Sequence, residues 1–286
     1  MTASSAAGGD SAAGSRSRIV DGPASRAAAL WRKRRVLLLL VRRDLKVRYS
    51  DSILGYLWSI LDPLLMGMIY WFVFTAIFRR SVGEDPYILF MLAGMLPFHW
   101  FQNAVNGAAT AIKGERLVRS TALPREIWVL RLVFSKGMEY LFSLPVLAAF
   151  AIGYLHGVSW QIVLMIPAIL IQTVLVTGLA LLISALGALA RDVDRVIRIL
   201  MRFMFYATPI IYGLNDVVRN RHIPQFLRDI YAVNPMTGII ALYRSGFFPL
   251  EFHWHVVISS VIGSIVALAV GWWVFIRLEG TVLKEI

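Results

Sequence analysis

The chain has 286 residues, of which 58% are hydrophobic and only 16% charged, and its mean hydropathy is +0.67. Soluble domains carry about 25% charged residues, so an ordinary globular protein is excluded and an integral membrane protein is indicated. There is no cysteine, which excludes disulfides, thiol catalysis and Cys-ligated metals. The net charge is +12, and eleven of the Lys and Arg lie in residues 1–54 against four Asp. Basic residues beside a membrane span follow from the positive-inside rule, so this charge is read as topological and no nucleic-acid partner is expected.

Residues 1–28 are rich in Ala, Ser and Gly, with no apolar run long enough for a signal peptide. They are expected to form a disordered cytoplasmic tail. Over 29–50, Leu38, Val41, Leu45 and Tyr49 form one stripe of a helix, crowded by Arg34, Arg35, Arg42, Arg43, Lys46 and Arg48. Such a pattern predicts an amphipathic helix in the cytoplasmic interface, its long basic side chains snorkelling to water.

A membrane helix needs about 20 mostly apolar residues. Runs that satisfy this lie at about 54–78, 87–112, 131–154, 161–190, 196–215 and 253–277, giving six spans within a 52–278 transmembrane domain. Asp62 is the sole charge in the first of these. The 140–190 stretch has no charged residue and is divided by the GYLHGVSWQ turn. The 113–136 loop carries six Lys and Arg and the 191–202 loop four, while 154–161 has none, so both termini are expected inside, with 279–286 a cytoplasmic tail. The 216–251 loop dissents with four Arg on the outer side. Within it, IYAVNPMTGIIALY is 14 uncharged residues split by Asn234-Pro235, too short to cross. A re-entrant helix pair over 224–248 is predicted there, next to a pathway that shields its broken backbone.

Six stretches carry a resemblance when taken in order: RRDLKVRYSDSILGYLWSILDPLL, LPFHWFQNAV, ERLVRSTALPREIWVLRLV, LARDVDRVIRI, ATPIIY and NPMTGIIALYRSGFF. Each alone is weak. As an ordered set over about 30–280 they resemble the permease subunits of type-2 ABC exporters of polysaccharide and teichoic acid (Wzm-like). The resemblance implies a six-span half-transporter that pairs with a copy of itself and with two separate ATPase subunits, and that moves lipid-linked polysaccharide out of the cytoplasm of a bacterium across its plasma membrane. It implies that the loop between spans two and three contacts the ATPase. Within that family the arginine- and alanine-rich composition of a GC-rich genome points to an actinobacterial cell-wall galactan exporter, with O-antigen and teichoic acid left open.

The residues assign roles within that frame. No phosphate-binding loop of the GxxxxGK[ST] type occurs, so Mg-ATP is expected on the partner and no cofactor on this chain. In the inner loop, Gly114, Glu115, Arg116, Arg119, Pro124, Arg125 and Glu126 are the expected ATPase-coupling residues. Arg42, Arg43, Lys46 and Arg48 are expected to hold the pyrophosphate of a lipid carrier at the entry, since guanidinium groups match phosphate geometry. An acid inside a span is costly, so Asp62 is expected to pair with Arg202 (or Arg198) at the inner doorway. Tyr70, Trp71, Phe74, Phe203, Tyr206 and Tyr212 offer flat amphipathic rings on which sugar faces could stack along a channel. Asn234 and Pro235 are the expected outer gate. His253 and His255 lack a third ligand, so no metal is expected. The rival readings are a type-2 exporter of drugs or small lipids, and an integral membrane glycosyl- or acyltransferase. No acid–base pair at membrane depth favours the transferase.

Overall fold

The computed structural model describes residues 23–50, 54–77, 83–112, 123–154, 157–219 and 224–285. The described residues are helices and connections only. In chain order the helices are α1 (Pro23–Arg32), α2 (Arg34–Tyr49), α3 (Trp58–Trp71), α4 (Tyr87–Ala108), α5 (Glu126–Tyr154), α6 (Met165–Leu189), α7 (Val193–Tyr206), α8 (Leu214–Arg219), α9 (Gln225–Val233), α10 (Pro235–Arg244) and α11 (Trp254–Glu285). A π-type turn, Phe72–Ile77, prolongs α3, and a 3-10 turn, Trp160–Leu164, opens α6.

Four segments among the described residues are long and apolar enough to cross a membrane: Tyr87–Ala108, Glu126–Tyr154, Trp160–Leu189 and Trp254–Gly280. The helix expected over 196–215 starts at Val193 and stops at Tyr206, because Pro209 cannot supply the next helical N–H. Its 14 residues rise about 21 Å, short of a hydrocarbon core of about 30 Å. Residues 207–213 continue as non-helical backbone.

The N-terminal expectation shifts as well. Helix begins at Pro23, not after residue 28, with proline at a position where its missing N–H costs nothing, followed by helix-forming alanines. The expected 29–50 helix is interrupted at Lys33. On α2 the buried stripe is Val41 and Leu45, packed with Leu37 and with Met138 of α5, whereas Leu38 is exposed. Leu39 and Val47 are exposed too, so α2 has a second apolar side turned away from the protein.

α4 is the centre of the bundle: 83% of its most apolar stretch is buried, against 28% in each of the other three crossing segments. α3, α5, α6, α7 and α10 all pack on it. Pro97 interrupts its hydrogen-bond ladder, and fully buried Gln172 of α6 ties this point to its neighbour by donating Nε2–H to the Pro97 carbonyl at 2.8 Å. The most extensive pairing is α6 with α11. It needs glycine, because a Cβ at Gly271 would overlap the Gly178 carbonyl and one at Gly178 would overlap the Ala267 backbone. Close backbone approach of this kind is how helices gain packing where there is no water to drive them together. Gly271→Leu is expected to destabilise the fold by about 2 kcal/mol or more, read as a lowered unfolding temperature in detergent. Gly280→Ala, with open space around it, should leave that temperature unchanged.

Candidate transport pathway and coupling sites

The non-helical stretch after α7 is itself buried over Thr208, Pro209, Ile210 and Ile211. Backbone carbonyls in such a place need donors, and each one has a partner. Tyr206 O accepts from Tyr212 Oη–H at 2.5 Å, and Ala207 O from Asn234 Nδ2–H at 3.2 Å. Thr208 O accepts from the Ile210 N–H at 2.7 Å, and Ile211 O from Tyr87 Oη–H at 2.9 Å. Pro209 O, Ile210 O and Tyr212 O accept from Arg244 at 2.7, 2.5 and 3.5 Å, and Gly213 O accepts from the Asp216 N–H at 3.2 Å.

Half of these bonds come from the two ends of α10. At its start, Asn234 caps the helix by accepting from the Met236 N–H at 3.0 Å, and Pro235 fills the first helical position. The same Asn234 amide reaches Ala207 O and Thr208 Oγ1. At its end, Arg244 is 1% exposed, donates to four carbonyls including Phe90 O of α4 at 3.1 Å, and lies 3.6 Å from the centroid of the Phe90 ring. Gly94 makes room for it, since a Cβ there would stand 2.6 Å from Arg244 Nη2.

Asn234-Pro235 was legible as a break between two short helices, and the structure has that pair, α9 and α10. Sequence pattern alone does not single out Arg244. It was one of the four arginines that set 216–251 against the charge rule, yet it is buried inside the protein and does not sit in a solvated loop. An arginine directly closing a 14-residue uncharged run was the available signal.

Two carboxylates finish this end of the molecule. Buried Glu251 accepts from the Leu214 N–H at 2.9 Å and from Asn215 Nδ2 at 3.1 Å. Asp216 accepts from the N–H groups of Gly213 and Gly83 at 2.8 and 3.1 Å, tying the loop before α4 to α8.

At the opposite end, α2 is held on α5 by ion pairs. Arg131 Nε meets Asp44 at 2.9 Å, and Arg48 Nη1 meets Glu139 Oε1 at 3.1 Å beside Lys136 Nζ at 2.8 Å. These residues and Arg43 line a cleft of about 390 Å³. Of the expected entry residues, Arg42, Arg43 and Lys46 are exposed, and Arg48 is shared with Glu139. Arg131, Lys136 and Glu139 were not anticipated there.

Of the expected coupling residues, Gly114, Glu115, Arg116 and Arg119 lie outside the described residues. Pro124 precedes α5, and Arg125 and Glu126 are engaged within the chain. Arg125 pairs with Glu279 at 2.6 Å, and Glu126, 2% exposed, pairs with Arg26 at 3.1 Å. Burial disfavours the Arg26 charge, but hydrogen bonds and charge from Glu279 and Glu126 outweigh it and hold the guanidinium above its ordinary pKa.

The aromatic residues divide. Tyr70 stacks on Phe205 with centroids 6.0 Å apart and lies within hydrogen-bond reach of Tyr206, so α3 and α7 do meet through rings. Trp71, Phe203 and Tyr206 are exposed. Tyr212 is turned inward, donating to Tyr206 O and reaching Tyr231 Oη at 3.0 Å. Asp62 lies on α3 and Phe74 in the π-type turn, with their side chains outside the described ones. Arg202, the expected partner of Asp62, is exposed, and Arg198 pairs with Asp194. His253 contacts the Glu251 carbonyl oxygen at 3.2 Å.

This arrangement defines a multi-pass helical membrane protein in which a broken helix is sealed by a short helix pair. The family model for ABC-2 type transporters matches residues 35–248, and the chain belongs to that family. Among its relatives, an O-antigen export system permease protein RfbA of Klebsiella pneumoniae is 34% identical over 241 residues, covering 82% of this chain and 90% of the relative. The RfbA permease of Myxococcus xanthus is 30% identical over 220 residues, covering 77% and 82%. The polysialic acid transport protein KpsM of Escherichia coli is 22% identical over 215 residues, covering 73% and 80%. As a family member it is a membrane permease subunit and a multi-pass protein of the bacterial inner membrane.

Arg244→Leu is expected to cost at least about 3 kcal/mol, because carbonyls of Pro209, Ile210, Tyr212 and Phe90 lose their donor at about 1–3 kcal/mol for each group left unsatisfied. Detergent unfolding measures the loss. In this cysteine-free chain, thiol labelling of Ile211→Cys should rise from slow to fast when Arg244→Leu is added.

Proposed function

We propose that this chain is the permease half of an ATP-driven exporter that moves lipid-linked polysaccharide from the cytoplasm to the outer face of the membrane. It works as a homodimer with two separate ATPase subunits. The observation that carries this reading is the likeness to O-antigen export permeases over 90% of the length of the first of them, joined to the absence of a phosphate-binding loop in the sequence.

Parts of the geometry fit this reading. α3 with its π-type extension, α4, α5, α6, α7 with the stretch after it, and α11 make six passes, and α9–α10 dips in from the outer side. α1 and the end of α11 meet at the exit of the basic inner loop, which favours both termini in the cytoplasm by the charge rule. That loop, 113–126, is the ATPase contact.

The carrier's diphosphate is drawn to Arg42, Arg43 and Lys46 on the exposed side of α2, with Arg131 and Lys136 behind them in the cleft. The sugar chain passes along the outward faces of α3 and α7. These are apolar but little covered: Met68, Ile69 and Trp71 on one, Ile199, Phe203 and Tyr206 on the other. Rings such as these contact sugar faces over a broad area without fixing one orientation, which suits a chain that slides. Asn234-Pro235 is the hinge of the outer gate, since one amide both caps α10 and holds the end of α7. Cell-wall galactan, O-antigen and teichoic acid all present this chemistry, and galactan is the candidate that the composition favours.

Depletion of the chain in its own cells should remove surface glycan and accumulate lipid-linked polymer inside. Normal surface glycan after depletion would refute the reading. Phe203→Ala with Tyr206→Ala is expected to lower export by about tenfold, the loss of about 1.4 kcal/mol, while the ATPase still co-purifies.

A further inference from the structure

Segments far apart in the sequence meet at the exit of the inner loop. Glu279, near the end of α11, bridges two arginines with its two oxygens: Arg26 Nη1 of α1 lies 2.7 Å from Oε2, and Arg125 Nη1 lies 2.6 Å from Oε1. Arg26 Nη1 also reaches Glu126 Oε1 at 3.1 Å. The side chains of Arg26 and Arg125 are 23% exposed, that of Glu279 is 19% exposed and that of Glu126 2%. An isolated exposed pair contributes at most about 1 kcal/mol. A carboxylate shared by two guanidinium groups in a partly buried site binds more firmly and fixes direction as well as distance.

Everything attached to Glu279 bears on the inner loop or on the outer gate. Leu123, at the foot of the loop, packs on the core, and Arg125 and Glu126 follow at once. From Glu279, α11 runs as one unbroken helix back to Trp254. Its other end backs α10: a Cβ at Gly238 would overlap the Val256 carbonyl, and one at Gly263 would stand 2.7 Å from Pro235 Cγ.

Resting on the exporter reading above, we propose that Glu279 is a positioning residue that locks Arg125, at the exit of the ATPase-contacting loop, to α11, so that this exit, α11 and α10 move as one body in the transport cycle. Glu279 touches neither substrate nor nucleotide. It acts through Arg125 and Arg26.

The test uses the full chain, co-purified with its ATPase and reconstituted in vesicles with lipid-linked glycan extracted from the source membranes. ATP hydrolysis and glycan export are measured together. Glu279→Gln is expected to leave hydrolysis close to that of the parent complex and to lower export per ATP by about threefold or more, within the range of couplings between contacting groups. Because the chain has no cysteine, Arg125→Cys with Glu279→Cys gives a second arm. Unlinked, the pair should show the same loss, and joining it with a short bifunctional thiol reagent should restore export per ATP. Parental export per ATP in Glu279→Gln or in the unlinked pair overturns the proposal, as does a link that blocks export. Failure of both variants to accumulate, linked or not, marks the cluster as structural only and also overturns it. A parent complex that hydrolyses ATP without exporting glycan instead overturns the exporter reading.

Discussion

Between Tyr206 and Gly213 the backbone leaves the helix while still enclosed by apolar side chains, and in that setting every carbonyl must find a donor. An unmet buried acceptor costs about 1–3 kcal/mol, so a run of them would be untenable. The fold answers with α10. Asn234 at one end serves the start of the stretch and Arg244 at the other serves its end. α10 itself cannot cross the membrane alone. It is held by the stretch it satisfies and by α4 and α11. The broken helix and the short helix therefore require each other, and neither is stable as drawn without the other.

Arginine suits the closing position for reasons of shape. Its planar fork presents several N–H groups in fixed directions, and here they reach carbonyls on two different segments while the plane lies over the Phe90 ring. Lysine could neither span those partners nor stack. The arginine also sits at the C-terminal end of α10, where the helix dipole favours a cation. Its placement beside Gly94 of α4 couples the broken segment after Tyr206 to the most buried of the crossing helices.

The sequence exposed the features that depend on local pattern. The four long apolar helices follow from extended apolar runs, and the α9–α10 break follows from Asn234-Pro235, whose capping chemistry is local. What stayed hidden depends on pairing across distance. Arg26 meets Glu126 and Glu279 from positions 100 and 253 residues away, which no window of periodicity reports. Of the stripe expected on α2, Val41 and Leu45 are buried, but Leu37 and not Leu38 joins them, because both faces of that helix carry leucine and only the packing around Met138 decides between them. Apolar composition continues past the point where helical hydrogen bonding stops, so composition predicts a helix running through Pro209 where α7 ends at Tyr206.

α11 is held at three levels. Its C-terminal end is tied by charge at Glu279, its middle is set backbone to backbone against α6 at Gly271, and its N-terminal half supports α10 at Val256 and Gly263. With 32 residues it is about 48 Å long, so it joins polar clusters near both ends of the bundle. The three contacts differ in kind. A salt bridge resists separation and tolerates a small tilt, whereas a glycine crossing fixes the distance between axes because no side chain can yield. A helix restrained in these ways cannot bend locally without losing one of them. Motion applied at the Glu279 end must either break the charge cluster or carry the whole helix, and through it the segment that seals the break after Tyr206.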